Sequence, residues 1–451
     1  MTSPLNPRAT IHAARRRCLS QWGGLGWKLA LVACGSPALT SAAALPQAQP
    51  PAPSPDLADG AVDAELVPHQ LSLDLGLVPD GDVHQYVEQV GRSLQAATRP
   101  ASVPCSCRVS NAHHLNAYAF PGGTIGLTRG LLLTLESETE LAAVLAHQLA
   151  HLALGHVQRA LPRSDIRKRL LAATVAASQE SAWVPALGLT APLGDGPLLP
   201  RYSTEQEIAA DALAARLLAS AGYGPQAWSR WLDRMTPLAN RQPALWAGWL
   251  ARHPLDDARR QAARTAARGI PDGSSSTRQR SEAARWTDRL AWLQRQREAV
   301  KACQRGELAM LEHQPAQAQA HFEAAQAAAP TDYASLVRLS QCLQAQGKTR
   351  EAAPWADAAR SQHPREAQAH RLAATLYLSL RDGAKAWLAL EQYDRLLPGD
   401  PGVIFLQGVA LESLGRTRQA AEHYRTYLRV TQEGQAAHYA LSRVKALGYS
   451  P

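Results

Sequence analysis

The sequence predicts an α+β fold that is mainly α: a first domain with a small sheet among helices, then an all-α solenoid. Three observations predict it. Ala, Leu, Gln and Arg dominate, while strand-favouring Phe occurs only three times, so helix should prevail. One helix-length apolar stretch carries two histidines four residues apart, His147 and His151, and short β-like runs precede it. In the last third of the chain, small and apolar residues return at a fixed 34-residue interval. At 451 residues the chain has room for two domains and tails.

The formal charge of +9 looks at first like a nucleic-acid signature. Arg8, Arg15, Arg16, Arg17 and Lys28 supply five of those charges within residues 1–44, which hold no acid. The remainder is thinly spread, without a basic run or interleaved aromatics, which argues against nucleic acid as a partner. Residues 1–44 read as a signal peptide: a basic stretch to Arg17, an apolar stretch over 22–44 and a small-residue cleavage site at Ala42-Ala43-Ala44. Lys28 interrupts the apolar run and argues against a membrane span. Leu31-Val32-Ala33-Cys34 also fits a lipoprotein cleavage box, which would put a lipid on Cys34 and hold the protein peripherally at a membrane.

Beyond Cys34 the cysteines are Cys105, Cys107, Cys303 and Cys342. Cys105 and Cys107 point the same way from one expected strand, poor geometry for a mutual disulfide. None has zinc-finger or redox spacing, so four ordinary, partly buried thiols are expected.

Residues 45–66, rich in Pro, Ala and Asp, read as a flexible linker. From Asp80 the chain turns helical, with Val83, Val87, Val90 and Leu94 on one face. Strands are expected at 104–110 and across 116–128, broken by Pro121-Gly122-Gly123. Ser137 with Glu140 forms a capping-box signature that opens the two-His helix. A second long helix is expected over 203–221, ending at Gly222, and 163–200 should form a short helix and a covering loop. The first domain thus runs over 67–270, and Pro271-Asp272-Gly273-Ser274-Ser275-Ser276 opens a linker at 271–290.

Residues 291–451 repeat. Ala318, Phe322, Ala325 and Pro330 return as Ala352, Ala356, Ala359 and Pro364, then as Ala386, Leu390, Tyr393 and Pro398, and finally as Ala420, Tyr424 and Tyr427. Gly347 and Gly415 mark turns between paired helices. A 34-residue helical hairpin cannot bury its apolar face alone, so small residues let neighbours approach and proline ends each second helix. These are tetratricopeptide (TPR) repeats, about four, with a C-terminal capping helix.

His147-Gln148-Leu149-Ala150-His151 places two imidazoles on one helix face, within reach of one Zn²⁺ ion per chain. Glu207 on the later helix supplies a third ligand, and Asp211, one turn on, can hold a ligating histidine in its tautomer. A third histidine in the helix-proximal spacing would fall at Val157, which makes His156 a poor ligand.

These residues resemble the HtpX-type gluzincin zinc peptidases. The resemblance rests on His147-x-x-x-His151, on Glu207-Ile208-Ala209-Ala210-Asp211, on Asn116-Ala117-Tyr118-Ala119-Phe120-Pro121-Gly122-Gly123 and on His253-Pro254-Leu255 with Arg259. It covers about residues 70–445 and implies a gluzincin-like metallopeptidase domain. It also implies that Asn116, Ala117, Tyr118, Pro121, Gly122 and Gly123 belong to an exposed edge strand that pairs with an extended substrate. His253, with Arg259 nearby, would then lie at the cleft, binding substrate or filling the open zinc position. Both segments also have plain readings: His253 as a surface residue before a proline, 116–123 as an ordinary strand and turn. With an export signal in front and TPR repeats behind, the layout is similar to family members of the periplasm that help outer-membrane β-barrel proteins assemble. That implies unfolded or misassembled outer-membrane proteins as partners, and the β-barrel assembly machinery as a partner of the repeats.

One position departs from the family. Glu normally follows the first histidine and acts as the general base; here Gln148 does. A carboxamide can position water but cannot take its proton, and that help is worth about 10²–10⁴-fold. Among nearby carboxylates, Glu140 is about two helical turns from His147 and too far to substitute. Glu138 and Glu205 read as solvated charges at helix starts. Three functions fit: an impaired metalloendopeptidase, a pseudopeptidase or chaperone-like scaffold that binds clients without cleaving them, and a metal-free TPR adaptor.

Overall fold

The computed structural model describes residues 60–98, 104–162, 198–272 and 276–450. The expected leader at 1–44, and all but the end of the expected covering loop at 163–200, lie outside the described residues. Residues 60–66, expected in the linker, instead belong to helix α1 (Gly60–Leu73). The reason is local: the Asp63 carboxylate accepts from Gly122 N at 2.7 Å and Thr124 N at 2.8 Å, and Leu66 packs on Tyr118, Phe120, Leu198 and Leu199.

Helix α2 (Gly81–Gln95) starts where Asp80 accepts from Val83 N, and buries Val83, Val87, Val90 and Leu94 as its periodicity predicts. The sheet has the order β1-β3-β2. Strand β1 (Ser106–Ser110) runs parallel to β3 (Thr124–Thr128), and β2 (Ala117–Ala119) pairs antiparallel with β3, with Tyr118 opposite Gly126. After β3 come the short α3 (Arg129–Leu132), then α4 (Glu138–Ala153) and α5 (His156–Ala160). Helices α2 and α4 pack on each other and on the sheet. Helix α6 (Thr204–Ser220) lies along α4 and ends at Gly222, whose φ of +82° suits a residue without Cβ. Helices α7 (Ala227–Arg241), α8 (Ala247–Arg252) and α9 (Asp257–Ala267) complete this part.

Two expectations about the start of α4 need correction. Ser137 does cap Glu140 N, but the Glu140 carboxylate accepts from Glu136 N and pairs with Arg234, so only half of the capping box forms. Glu138 is not solvated; it is 2% exposed, accepting from Tyr86 and Tyr223 hydroxyls and from Arg285 at 2.7 Å. Arg285 lies on α10 (Ser276–Arg289), a helix within the expected 271–290 linker, which packs against α4 and α2. Glu205 is exposed.

Beyond α11 (Ala291–Arg295) the chain forms four antiparallel hairpins. They are α12 (Arg297–Leu311) with α13 (Pro315–Ala328), α14 (Tyr333–Ala345) with α15 (Thr349–Gln362), α16 (Ala367–Ser379) with α17 (Gly383–Leu396), and α18 (Pro401–Ser413) with α19 (Thr417–Val430). Helix α20 (Gln435–Ala446) packs on the last. Every repeated position from Ala318 to Tyr427 is buried in one continuous core, except the helix-ending Pro330, Pro364 and Pro398, which are exposed. Gly347 and Gly415 take φ of +74° and +72° between paired helices, the left-handed turn that glycine permits.

The repeats dock on the first domain through buried charge. The Arg129 guanidinium donates to Asp332 at 2.6 and 2.9 Å and lies 2.7 Å from His113 Nε2. His113 Nδ1 is 2.9 Å from Glu307, which also takes Arg338 at 2.8 Å. From Tyr333 to Leu343 every residue of α14 is buried. Cys105 is half-buried while Cys107, Cys303 and Cys342 are buried, and all four are free thiols. Among the described residues, no helix is long and apolar enough to cross a membrane.

Candidate metal centre

Helix α4 is buried on every side from Leu141 to Leu152, and its 3.6-residue period turns His147, Gln148 and His151 toward α6. Helix α6 is opened by a complete capping box between Ser203 and Gln206, which fixes where its first turn presents Glu207. One turn later Asp211 lies on the same face. His253 follows α8 directly, as its C-cap residue, and Arg259 enters from the first turn of α9.

The structure brings these residues together. One nitrogen or oxygen from each of His147, His151, Glu207 and His253 lies within 4.8 Å of all the others. His151 Nε2 is 3.1 Å from His147 Nε2 and 3.1 Å from Glu207 Oε1. His253 Nδ1 is 3.2 Å from His147 Nε2 and 3.0 Å from Glu207 Oε1. Metal–ligand bonds of about 2.0–2.1 Å place neighbouring donors roughly 3 Å apart, and these four contacts have that spacing. The chemistry also fits. Burial pushes His147 down to about 3 and lowers His253, a shift toward the neutral imidazole that metal ligation requires. Burial opposes ionisation of Glu207, but His253, Arg259 and His151 outweigh it and hold its carboxyl well below the usual range.

Around the donors stands a second set of contacts. Asp211 Oδ1 is 3.0 Å from His147 Nδ1, leaving Nε2 to face the other donors. Arg259 reaches Glu207 Oε2 at 2.6 Å and Asp211 Oδ2 at 2.9 Å, offsetting two buried carboxylates with one guanidinium. Gln148 is fully buried; its Nε2 is 3.3 Å from His253 Nε2, and its Oε1 has no hydrogen-bond partner. His156 sits behind the centre, Nδ1 to Nδ1 at 3.1 Å from His151, outside the donor group.

The expected substrate strand differs from its sequence reading. Strand β2 stands at the sheet edge but is not exposed: Asn116, Ala117, Tyr118 and Ala119 are at most 1% accessible. Helix α1 and Leu198 and Leu199 cover Tyr118 and Phe120, Asp63 holds Gly122, and Gln158 donates to the Pro121 carbonyl. Gly123, at φ +100°, turns the chain hard against the Pro104 carbonyl.

Sequence reasoning missed the aromatic rings. Trp228 stacks on His147 with centroids 4.2 Å apart, Tyr202 on His151 at 3.7 Å and Trp249 on His253 at 4.2 Å. Trp249, one turn before His253, carried a local signal; Tyr202 and Trp228 carried none.

Comparison with known proteins agrees with this arrangement. Residues 78–267 match peptidase family M48, and residues 309–376 match a tetratricopeptide repeat family. The chain is 28% identical over 208 residues to Beta-barrel assembly-enhancing protease of Yersinia pestis, covering 44% of this chain and 42% of that protein. It is 27% identical over 208 residues to the protein of that name from Escherichia coli strain K12, with the same coverage. To Metalloprotease LoiP of the same strain it is 28% identical over 137 residues, 30% of this chain and 53% of that protein. The matched part thus spans about two fifths of the length of the β-barrel assembly relatives, 42% in both cases. The chain therefore joins a domain of peptidase family M48, for which a metal cofactor is implied, to an array of tetratricopeptide repeats.

Proposed function

We propose that this chain is a zinc-binding protein of the β-barrel assembly-enhancing type, exported to the periplasm, acting in quality control of outer-membrane proteins with weak peptidase chemistry. The observation that carries the reading is the four-donor group with Gln148 against it. His147, His151 and Glu207 would hold one Zn²⁺, with His253 closing the set. Zinc, when bound, supplies Lewis-acid polarisation of a peptide carbonyl. Asp211, with Oδ1 3.0 Å from His147 Nδ1, would hold that ring in the ligating tautomer, and Arg259 keeps the two carboxylates ionised. Gln148 can orient water or a peptide group through its carboxamide, but it offers no site for a proton at the pH of the periplasm. Unfolded outer-membrane proteins would be the clients, and the TPR repeats would carry contacts to the assembly machinery.

A second reading, binding of clients without cleavage, is favoured by Gln148 together with a fourth protein donor at the centre, His253. Metal content and casein cleavage, measured on this chain and on Gln148→Glu, separate the two. Each protein should hold about one zinc, and restoring the carboxylate should raise turnover at least about 10²-fold. Full zinc without any gain leaves the binding reading. No zinc in either protein, or equal zinc after His147→Ala, refutes the ligand assignment.

A further inference from the structure

The three imidazoles of the donor group share a feature that neither the motif nor the family match assigns. Each has one face covered by an aromatic ring, and the three rings come from three separate elements: Tyr202 just before α6, Trp228 on α7 and Trp249 on α8. An imidazole on a helix is free to turn about χ2, which is broad and roughly two-fold, unless packing holds it. Hydrogen bonding at Nδ1 fixes a ring's tautomer but leaves a hinge; a flat ring against its face removes that hinge.

Trp228 does both. Its indole lies nearly parallel to His147, at an interplanar angle of 10°, and its Nε1 donates to Asp211 Oδ1 at 2.6 Å. That same oxygen is 3.0 Å from His147 Nδ1. One side chain therefore contacts the imidazole and the carboxylate that orients it. Trp228 is in turn backed by Trp231, stacked at 5.1 Å, so it cannot rotate away without disturbing a second buried ring.

We infer that Trp228, aided by Tyr202 and Trp249, is a positioning residue that sets the imidazoles in ligating orientation before a metal enters. This rests on the donor assignment proposed above. The ring touches no reacting atom; it acts through His147 and Asp211.

The test is Co²⁺ binding to the full chain, read as affinity by chelator competition and as the visible absorption band of the bound ion. Trp228→Phe keeps a flat ring but loses the Nε1 donor, and Trp228→Leu loses both. Trp246→Phe is the control: Trp246 is buried in the same cluster, 6.3 Å from Trp231, without stacking on a donor imidazole. Loss of an outer contact to a ligand typically costs about 10–100-fold in metal affinity. Trp228→Phe should lie near the lower end, Trp228→Leu near the upper, both with a shifted band, while Trp246→Phe matches the parent. Equal losses in Trp228→Phe and Trp246→Phe, or parental affinity and spectrum in folded Trp228→Leu, overturn the inference. If Trp228 variants do not fold, Trp249→Leu, which removes the ring stacked on His253, carries the same comparison. A parent chain that takes up no Co²⁺ refutes the donor assignment itself, a result distinct from either.

Discussion

Arg129→Met should separate the peptidase-family domain from its repeats, and the structure sets the size of the effect. Arg129 is fully buried and gives Asp332 two hydrogen bonds, at 2.6 and 2.9 Å. Removing one partner of a buried ion pair costs about 3–5 kcal/mol, because the other charge stays behind. Asp332 keeps donors from Ser335 N and Ser335 Oγ, so the loss should fall near the lower end, about 3 kcal/mol. With a urea slope of about 3 kcal/mol/M, the unfolding midpoint would drop by about 1 M. The double variant Arg129→Met with Asp332→Asn should recover much of the loss, since no bare charge remains. Urea unfolding followed by tryptophan fluorescence measures all four corners of the cycle. A single-variant loss below about 0.5 kcal/mol, or purely additive losses, would refute the claim that this pair locks the two parts together.

The repeats offer a steric test. A Cβ on Gly408 would meet Tyr424 ring carbons at 2.7 and 2.8 Å, so Gly408→Ala should destabilise the array by about 1–3 kcal/mol despite its better helix propensity. Hydrogen exchange should show α18 and α19 loosening together. A pH dependence follows from Glu366, whose carboxyl burial raises to about 7, at its contact with Leu77 N. For an acid raised above its unfolded value, stability is greatest at low pH and is lost as pH climbs toward 7, here by roughly 2–3 kcal/mol. Glu366→Gln should flatten that slope in urea unfolding at pH 5 and pH 8; an unchanged slope would assign the effect elsewhere.

The repeats were legible because each repeated residue meets the next at a constant interval, so period alone encodes contact. The α4 and α6 motifs were legible for a similar reason: His147 to His151 and Glu207 to Asp211 are single helical turns. What escaped was chemistry set by distant partners. Glu138 sits in a first turn, where carboxylates are commonly solvated, but Arg285 reaches it across 147 residues of sequence. The substrate strand looked open because nothing local to 116–123 announces that α1 will fold over it. Trp228 contacts His147 from another helix, and no spacing rule connects them.

The buried lock between Arg129 and Asp332 also imposes an order in time. The two residues are 203 positions apart, and chains are made at about 5–20 residues per second, so Arg129 emerges roughly 10–40 s before its partner. Throughout that interval the face carrying His113 and Arg129 has nothing to close it. The first domain completes this contact only when the start of the array's second hairpin is in place. A holding factor acting on the nascent or newly exported chain would meet this face first, and a chain cut short before residue 332 would present it permanently.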